Sequence, residues 1–291
     1  DFTMTQPVFK LGVLKLGCIG AAPLLDLLLD ERADREDLET RAWTSGAKLD
    51  PAACAGPTAD CIAFKADLVL LVSPNAALPG PTQARDALLA AGIPTIAIGD
   101  APSKKAFFKK NEEGKQVKSV PPGLGFLILP CDPMIGARRE FLDPSEMALF
   151  NADVIKVLAA GGVLRAVQNE LDRVIDAMKQ GATPALPTLT VSAETALAAA
   201  EFANPYAAAK AYAALTIAEA VAGITTRGCF VEQDASKYVT LVAAGHEMMR
   251  AAALLADTAR EMEKDNDSVL RTPHAGSGQP RRKTALGDKP A

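Results

Sequence analysis

Histidine, cysteine pairs and aromatic side chains are scarce in this sequence. Of its 291 residues, two are histidine and one is tryptophan, and aromatic residues make up 5%. The five cysteines include no C-x-x-C pair, so the sequence predicts neither a disulfide framework nor a zinc site. It also contains no G-x-S-x-G elbow, Walker loop or kinase signature. These absences leave reactions such as direct hydride transfer, in which a protein only orients its reactants. We expect neither a metal nor a catalytic side chain.

Long apolar runs and a basic charge excess are missing as well. The longest apolar runs, such as 24–29 and 68–72, are far shorter than the roughly 20 residues that span a bilayer. No leading segment has the pattern of a signal peptide. A formal net charge of −4 does not suit a nucleic-acid binder, which needs a broad basic surface. We therefore expect a cytoplasmic protein that binds neither membranes nor nucleic acids.

Short apolar runs alternate with helical patterns in the first half of the chain. Five such runs are predicted strands, at 8–16, 42–44, 68–72, 95–98 and 125–129. Because their apolar residues are continuous rather than alternating, both faces of the sheet should be covered. This pattern predicts an α/β fold with a mostly parallel, Rossmann-like sheet flanked by helices.

The second half of the chain has helical patterns. Asp143-Pro144-Ser145-Glu146 has the residues of a helix start, and further helices are predicted from Asn204 to Gly223 and from Val239 to about Lys264. The polar region beyond is predicted to be a surface or disordered tail. His274, in that region, and His246 are too isolated to form a metal cluster. The predicted division is a Rossmann-like cofactor-binding part, a helical part and a tail, at 1–142, 143–265 and 266–291.

The loops after the predicted strands are candidate cofactor-binding loops, because open parallel sheets bind ligands beyond the carboxyl ends of their strands. The first loop, Gly17-Cys18-Ile19-Gly20, supplies only part of a G-x-G-x-x-G motif, and a tight turn that needs glycine explains it as well. After the second strand, Lys48 suits a 2′-phosphate but is equally consistent with an ordinary solvated lysine. The remaining candidates on these loops are Ser45, Ser73, Pro74, Asn75 and Asp100.

The segment from Ser103 to Lys118 holds six lysines against two glutamates, in a chain that is acidic overall. One interpretation is a solvated flexible loop. The other is a lid that closes over an anionic cofactor.

One stretch resembles a known family. The run DPMIGARREFLDP at 132–144, continuing through 146–148 to 151–156, closely resembles the methylene-tetrahydromethanopterin dehydrogenases of methanogenic archaea. Other motifs of that family follow in the same order along nearly the whole chain. They are LLLDERADR at 27–35, SPN at 73–75, PGP at 79–81, GDAP at 99–102, NPY at 204–206, GCF at 228–230, HEM at 246–248 and VLRTPH at 269–274.

The resemblance implies reversible hydride transfer between methylene- and methenyl-tetrahydromethanopterin, with the deazaflavin coenzyme F420 as partner in the archaeal enzymes. It implies a homo-oligomer, a hexamer built from dimers, in which the helical part 143–265 contributes to the pterin cleft and to the interface. No metal or flavin group is implied. An alternative role for the charged residues at 138–140 is an ion-pair network at a subunit interface. The expected pterin contacts are Asp132, Arg138, Arg139, Glu140, Asn151, His246 and Glu247.

The chain departs from the archaeal pattern on the cofactor side. The archaeal turn reads Gly-Asn-Ile-Gly-Thr-Ser, whereas this chain has Gly17-Cys18-Ile19-Gly20-Ala21-Ala22 and so lacks three polar side chains. The lysine-rich segment is also longer. We therefore predict that NADP replaces F420 in the pterin reaction, in the one-carbon metabolism of a methylotrophic bacterium. F420 is the alternative cofactor, and a non-catalytic paralogue that binds a pterin or nucleotide is the second alternative.

Overall fold

A six-stranded parallel sheet is the centre of the structure, a computed structural model that describes residues 8–130 and 138–290. The strands are β1 Phe9–Lys15, β2 Leu38–Thr44, β3 Leu68–Ser73, β4 Thr95–Gly99, β5 Phe108–Lys110, β6 Gln116–Lys118, β7 Leu124–Ile128 and β8 Thr188–Thr190. The helices are α1 Ala22–Leu29, α2 Pro51–Ala63, α3 Pro79–Ala90, α4 Pro144–Ala160, α5 Val163–Lys179, α6 Ala193–Ala200, α7 Pro205–Thr226 and α8 Ala235–Asp265. Short 3₁₀ helices cover Ala101–Ala106 and Arg139–Phe141, and a π-helical turn covers Arg227–Val231.

The sheet confirms the predicted α/β class. Its order is β2-β1-β3-β4-β7-β8 with every neighbouring pair parallel, and every residue of β3, β4 and β7 is buried. Complete burial is what their continuous apolar sequences indicate, because a strand covered on both faces has no solvent side. β2 begins at Leu38, earlier than predicted. The three-residue strand β8 was not predicted, since it is too short to show a pattern.

Helices cover both faces of the sheet. α2 and α3 cover one face, where Cys61 and Leu88 are fully buried against β1 and β3. On the same face, the antiparallel hairpin β5–β6 stands where a crossover helix would connect β4 to β7. Phe107 at its start is fully buried and stacks on Phe126 of β7 with ring centroids 4.6 Å apart. The opposite face belongs to one apolar cluster with α1, α4, α5 and the long helices α7 and α8, in which α7 and α8 contact each other and α4.

Capping residues begin the long helices. The Asp143 side chain accepts hydrogen bonds from the backbone N–H groups of Ser145 and Glu146, so α4 begins where the sequence predicts. Asn204 caps α7 in the same way, and Asp234 caps α8. α7 continues beyond Gly223, and the π-helical turn extends it to Val231. Buried alanines line the contact between α7 and α8, so the two helices approach closely.

Two helical segments are long and apolar enough to cross a membrane by length and composition, and they are 205–231 and α8. Neither segment contains an uninterrupted apolar run of that length, because scattered charged and polar residues interrupt the apolar ones. Exposed charged side chains such as Glu247 and Arg250 lie in the middle of α8, where a bilayer would make them costly. About a third of each apolar window is buried, so much apolar surface remains on this helix pair.

The C-terminal segment 266–290 packs on α1 and α5. The expectation that His274 lies in an unstructured region is wrong, because its side chain is 1% exposed. Its Nδ1 lies 2.9 Å from Glu31 Oε1, and its Nε2 lies 2.9 Å from Asp172 Oδ1. Backbone hydrogen bonds between Arg271 and Lys283 close a loop around it. Two carboxylates and a loop therefore hold this segment on the protein.

Candidate active site

The predicted cofactor loops meet at the carboxyl edge of the sheet, which is where the parallel strands end. The loop after β1 carries Gly17, Cys18, Ile19 and Gly20, and the loop after β2 carries Ser45 and Lys48. β3 is followed by Pro74 and Asn75, and β4 by Asp100. Because β1 to β4 are parallel neighbours, their carboxyl ends form one edge, and these residues lie along it.

The turn after β1 is held against the loop after β2. Gly17 has a φ of +83°, a left-handed conformation that favours glycine. Its backbone N–H donates to Ser45 Oγ at 3.1 Å, and the Ser45 hydroxyl donates to the Lys48 carbonyl at 2.7 Å. The Lys48 and Cys18 side chains are exposed. The glycine therefore serves a tight turn, and Lys48 holds Ser45 through its backbone.

Buried polar side chains lie beneath the loops after β3 and β4. Ser103 is fully buried, and its Oγ accepts a hydrogen bond from the Ala76 N–H at 2.9 Å. Gly99 is so close that a Cβ there would lie 2.4 Å from Ser103 Oγ. Ser73 Oγ is buried and has no hydrogen-bond partner within 8–130 and 138–290. Asp100 is 2% exposed. This part of the edge therefore holds polar groups that contribute little to the apolar core.

The segment before α4 is fastened to the start of α8. Arg138 Nε donates to the Gly228 carbonyl at 3.0 Å, and its guanidinium also bonds the Glu232 carbonyl. The guanidinium lies 3.9 Å from the ring centroid of Tyr238. The Tyr238 hydroxyl donates to Glu140 Oε1 at 2.6 Å, a bond that lowers the pKa of Glu140 and raises the pKa of Tyr238. Two of the predicted pterin contacts, Arg138 and Glu140, thus join the segment before α4 to the π-helical turn and to the residues that follow it.

His246 lies between two aromatic rings. Its ring centroid is 5.0 Å from that of Phe141 and 4.6 Å from that of Phe150. Burial lowers the pKa of His246, although the nearby Glu146 and Glu247 carboxylates oppose that shift. His246 Nε2 is buried with no hydrogen-bond partner in the described part of the chain. A neutral imidazole therefore offers one free nitrogen beside the start of α4.

The remaining predicted pterin contacts differ in their surroundings. Arg139 and Glu247 are exposed. Asn151 Nδ2 donates to the Met147 carbonyl within α4 at 2.8 Å. Asp132 lies outside the described residues. The structure therefore brings Arg138 and Glu140 together and holds His246 beside Phe141 of the same segment.

The lysine-rich segment divides into two parts. Lys104 and Lys105 are exposed on the 3₁₀ helix that directly follows Asp100 at the carboxyl edge. The hairpin beyond lies on the face of the sheet, where Lys118 Nζ bonds the hydroxyl and carbonyl of Thr188, the first residue of β8. The segment beyond Phe107 forms an antiparallel hairpin and not an irregular loop, and residues 109–118 are exposed, which agrees with a solvated segment. Lys118 lies at the amino end of β8, because Thr188 begins that strand, so this end of the hairpin does not cover the carboxyl edge.

Sequence reasoning missed several residues of this site. Tyr238 lies 98 residues from Glu140, so no spacing pattern connects the two. Phe141 and Phe150 resemble ordinary core positions in sequence. Ser103 directly follows the family motif at 99–102. Among these residues, it is the one whose sequence position indicates a place near the site. Within the described residues, no group of three or more His, Cys, Asp or Glu residues is arranged to hold a metal ion.

A family model for methylene-5,6,7,8-tetrahydromethanopterin dehydrogenase matches residues 9–291. The chain belongs to this dehydrogenase family. The F420-dependent methylenetetrahydromethanopterin dehydrogenase of Archaeoglobus fulgidus is 55% identical to it over 97% of the chain and 99% of the relative. The corresponding enzyme of Methanocaldococcus jannaschii is 50% identical with the same coverage. Membership confirms the family suggested by the run at 132–144.

A solved structure of the family has the same fold. It is an F420-dependent methylene-tetrahydromethanopterin dehydrogenase in complex with methylene-tetrahydromethanopterin and coenzyme F420. It aligns with a TM-score of 0.89 and 46% identity, over 98% of this chain and 100% of the other. These family members are described as F420-dependent, so the comparisons favour the F420 alternative over the NADP prediction.

Proposed function

We propose that this chain catalyses reversible hydride transfer between methylene-tetrahydromethanopterin and coenzyme F420, as part of one-carbon metabolism. The observation that carries the proposal is the full-length likeness to an enzyme solved with both molecules, at a TM-score of 0.89. Relatives that are 55% and 50% identical carry the same F420 dependence in their names. The NADP hypothesis rests on a turn with fewer polar groups, on the longer lysine-rich segment and on Lys48. The exposed Lys48 side chain has no hydrogen bond or ion pair within the described residues.

The carboxyl edge of the sheet has the chemistry to hold the cofactor. Ser73 Oγ is a buried hydroxyl that lacks a partner among the described residues, and a polar ligand at this edge would satisfy it. The turn at 17–20 lets a ligand approach the backbone closely, because no side chain projects from its glycines. Bound F420 would supply the deazaflavin ring that accepts a hydride. The residues proposed to hold it are Gly17, Cys18, Ile19, Gly20, Ser45, Ser73, Pro74, Asn75 and Asp100.

The pterin is proposed to lie against the segment 138–141 and the middle of α8. Removal of a hydride from a carbon between two nitrogens leaves a cation shared by those nitrogens. A neutral His246 does not repel that charge, and burial keeps the imidazole neutral by lowering its pKa. The carboxylates of Glu140 and Glu247 would attract the developing cation. The chain's contribution is therefore orientation, exclusion of water and electrostatic support. The proposed pterin contacts also include Asp132, Arg138, Arg139 and Asn151.

We also propose that this protein is a homo-oligomer in the cytoplasm, because its surface carries uncovered apolar side chains. The apolar windows of α7 and α8 are about one third buried, and the adjacent side chains of Phe230 and Val231 are 59% and 69% exposed. A second copy of the chain that covers this surface would remove it from water. We propose a hexamer on the basis of the family resemblance.

The reaction is tested with purified protein, methylene-tetrahydromethanopterin and either F420 or NADP, with reduction followed by the absorbance of each cofactor. We expect turnover with F420, and turnover at least about a hundredfold slower with NADP. Turnover with NADP alone would contradict the proposal. If neither cofactor is reduced while the pterin still binds, the chain is the non-catalytic paralogue.

A further inference from the structure

A cleft of about 520 Å³ lies beside the C-terminal end of α1. α1 begins after the turn at 17–20 and runs back toward the amino ends of the strands. Its last residues, Leu27 and Leu28, therefore lie away from the carboxyl edge that forms the candidate active site. The other walls come from the start of α5, the end of α8 and the C-terminal segment at 269–273. The cleft is thus separate from the proposed cofactor and pterin positions.

Cationic side chains outnumber carboxylates in the cleft. Its charged lining consists of Arg165, Arg260, Arg271, Lys283, Glu31 and Glu263. Both carboxylates already accept hydrogen bonds from groups that do not line the cleft. Glu31 accepts hydrogen bonds from the backbone N–H and from the ring of His274. Glu263 accepts from the backbone N–H groups of residues 203 and 204 and from the Ser268 hydroxyl. The lining therefore has four cationic side chains against two carboxylates, and within the described residues neither carboxylate forms a salt bridge with these cations.

Arg260 is the charged side chain of this cleft that stands out, because the described residues give it no bonding partner. It lies on α8, and within the described residues it donates no hydrogen bond and forms no ion pair. Burial lowers the pKa of Arg260 and the neighbouring charge of Arg271 lowers it further, while the carboxylates of Glu261 and Glu263 oppose these shifts without reversing them. Arg165 is also partly buried, and its guanidinium bonds Gln168 and the Leu270 carbonyl instead of a carboxylate. A half-buried guanidinium that bonds no carboxylate keeps N–H donors available to an anion in the cleft.

Most of the remaining cleft wall is apolar, apart from Gln168 and Thr272. Its apolar side chains include Leu27, Leu164, Phe202 and Val269. An inorganic ion would satisfy the guanidinium groups but would leave this wall in water. A ligand with an anionic group and an apolar group would use both parts of the lining.

We propose that this cleft binds a small organic anion, whose phosphate or carboxylate group bonds Arg260 and whose apolar group lies against Phe202 and Leu164. A guanidinium presents two parallel N–H donors that match either kind of anion. The site is independent of the hydride-transfer reaction, so its ligand need not be a substrate.

The test measures binding of four probes to the full-length protein by calorimetry and thermal unfolding. Phenyl phosphate and benzoate carry both features, whereas inorganic phosphate lacks the apolar group and phenol lacks the charge. We expect saturable binding of phenyl phosphate or benzoate, at least about tenfold tighter than that of inorganic phosphate, and no binding of phenol. Whichever of the two binds more tightly distinguishes a phosphate site from a carboxylate site. Equal affinities for phenyl phosphate and inorganic phosphate would contradict the apolar part of the proposal.

Variants locate the site. Arg260→Gln should weaken the tighter probe by about tenfold or more, because charge-assisted hydrogen bonds are lost. Lys264→Gln removes the same charge one turn further along α8 and should leave binding unchanged, because Lys264 pairs with Glu261 outside the cleft. Without a probe, Arg260→Gln should unfold at the same temperature as the wild type or higher. Unchanged probe affinity in Arg260→Gln, lower stability without a probe, or competition between the probe and F420 or the pterin would each overturn the proposal.

Discussion

At the scale of single residues, Tyr238 joins two parts of the chain that are proposed to meet the pterin. Its hydroxyl bonds Glu140 at 2.6 Å, and its ring lies under the guanidinium of Arg138. Both partners belong to the segment before α4, whereas Tyr238 lies in the first turn of α8. The orientation of this segment therefore depends on a side chain from the far end of the sequence.

Tyr238→Phe should raise the KM for methylene-tetrahydromethanopterin several-fold while the KM for F420 stays unchanged. The substitution keeps the ring under Arg138 but frees the Glu140 carboxylate. Steady-state kinetics with each substrate varied in turn measure both constants. Tyr212→Phe is a matched control, because it removes a similar tyrosine bond, to Glu194, on the exposed surface of α7. Equal effects of the two variants would show that Tyr238 does not position the pterin site.

His246 should assist the pterin reaction in two ways: its Nε2 has no hydrogen-bond partner within the described residues, and its imidazole is uncharged. His246→Gln should lower kcat/KM for the pterin by about tenfold, the loss expected for one hydrogen bond to the ligand. Burial holds the pKa of His246 below its ordinary value of 6.5, so the ring is neutral at pH 7. The wild-type rate should therefore fall only below pH 6.5, where the ring gains a proton, and the variant should lack this decline. A pH profile of kcat/KM checks both points, and a wild-type decline that begins above pH 6.5 would refute the assignment.

At the scale of secondary-structure elements, the chain between β4 and β7 consists of two parts that lie in different places. Its first turns follow Asp100 at the carboxyl edge, whereas the hairpin β5–β6 covers the sheet through Phe107 and Phe126. The high lysine content of this segment suggested one unit with one role. The structure divides it at Phe107, which is fully buried.

The two halves of the lysine-rich segment should respond differently to loss of charge. Lys104→Gln with Lys105→Gln should raise the KM for F420 several-fold, because these side chains lie beside the proposed cofactor edge. Lys109→Gln with Lys110→Gln removes the same charge from the hairpin and should leave that KM unchanged. Kinetics at two salt concentrations measure the effect, which should shrink at high salt. A larger effect from the hairpin pair would support a lid instead.

The C-terminal segment is held by His274, and its contribution to stability should depend on pH. Burial acts to lower the pKa of His274, but the hydrogen bond and charge of Asp172 and the hydrogen bond of Glu31 outweigh burial and raise it above 6.5. The protonated ring therefore stabilises the folded protein fully below pH 6.5, and this contribution is lost as pH rises through the raised pKa.

His274→Gln should lower the free energy of unfolding by about 3 kcal/mol below pH 6.5 and by less at pH 9. Thermal or urea unfolding across this pH range measures the difference. His246→Gln is the control for histidine titration, because the pKa of His246 is lowered and its contribution is lost as pH falls. A destabilisation by His274→Gln that grows with increasing pH would contradict the assigned contacts.

At the scale of the whole molecule, the helix pair α7–α8 leaves apolar surface uncovered. Phe230 and Val231 project from the π-helical turn, and Tyr206 at the start of α7 is 75% exposed. The charged residues within both helices argue against a bilayer as the cover. A second copy of the chain would bury these side chains at little cost.

The protein should therefore have a solution mass of at least twice the 30.4 kDa of a single chain. Light scattering after size-exclusion chromatography measures this mass, and six chains are expected. Phe230→Asp with Val231→Asp should lower the mass if the π-helical turn lies at an interface, because two buried charges would oppose association. A wild-type protein that remains a monomer at micromolar concentration would contradict the oligomer.

The sequence alone determined the α/β class, the positions of the buried strands and the start of α4, because these features depend on local patterns. Continuous apolar runs in β3, β4 and β7 and the cap at Asp143 are readable from neighbouring residues. The family motif at 132–144 likewise needed no structure. β8 was missed, because three half-buried residues carry no pattern.

Only the tertiary structure decided which distant side chains meet. Tyr238 lies 98 residues from Glu140, and His274 lies 243 residues from Glu31, so neither contact follows from spacing in the sequence. The same holds for His246 Nε2 and for the Arg260 guanidinium, which have no hydrogen-bond partner among the described residues. The physical reason is that burial and hydrogen bonding depend on the packing of whole elements, which local sequence patterns do not encode.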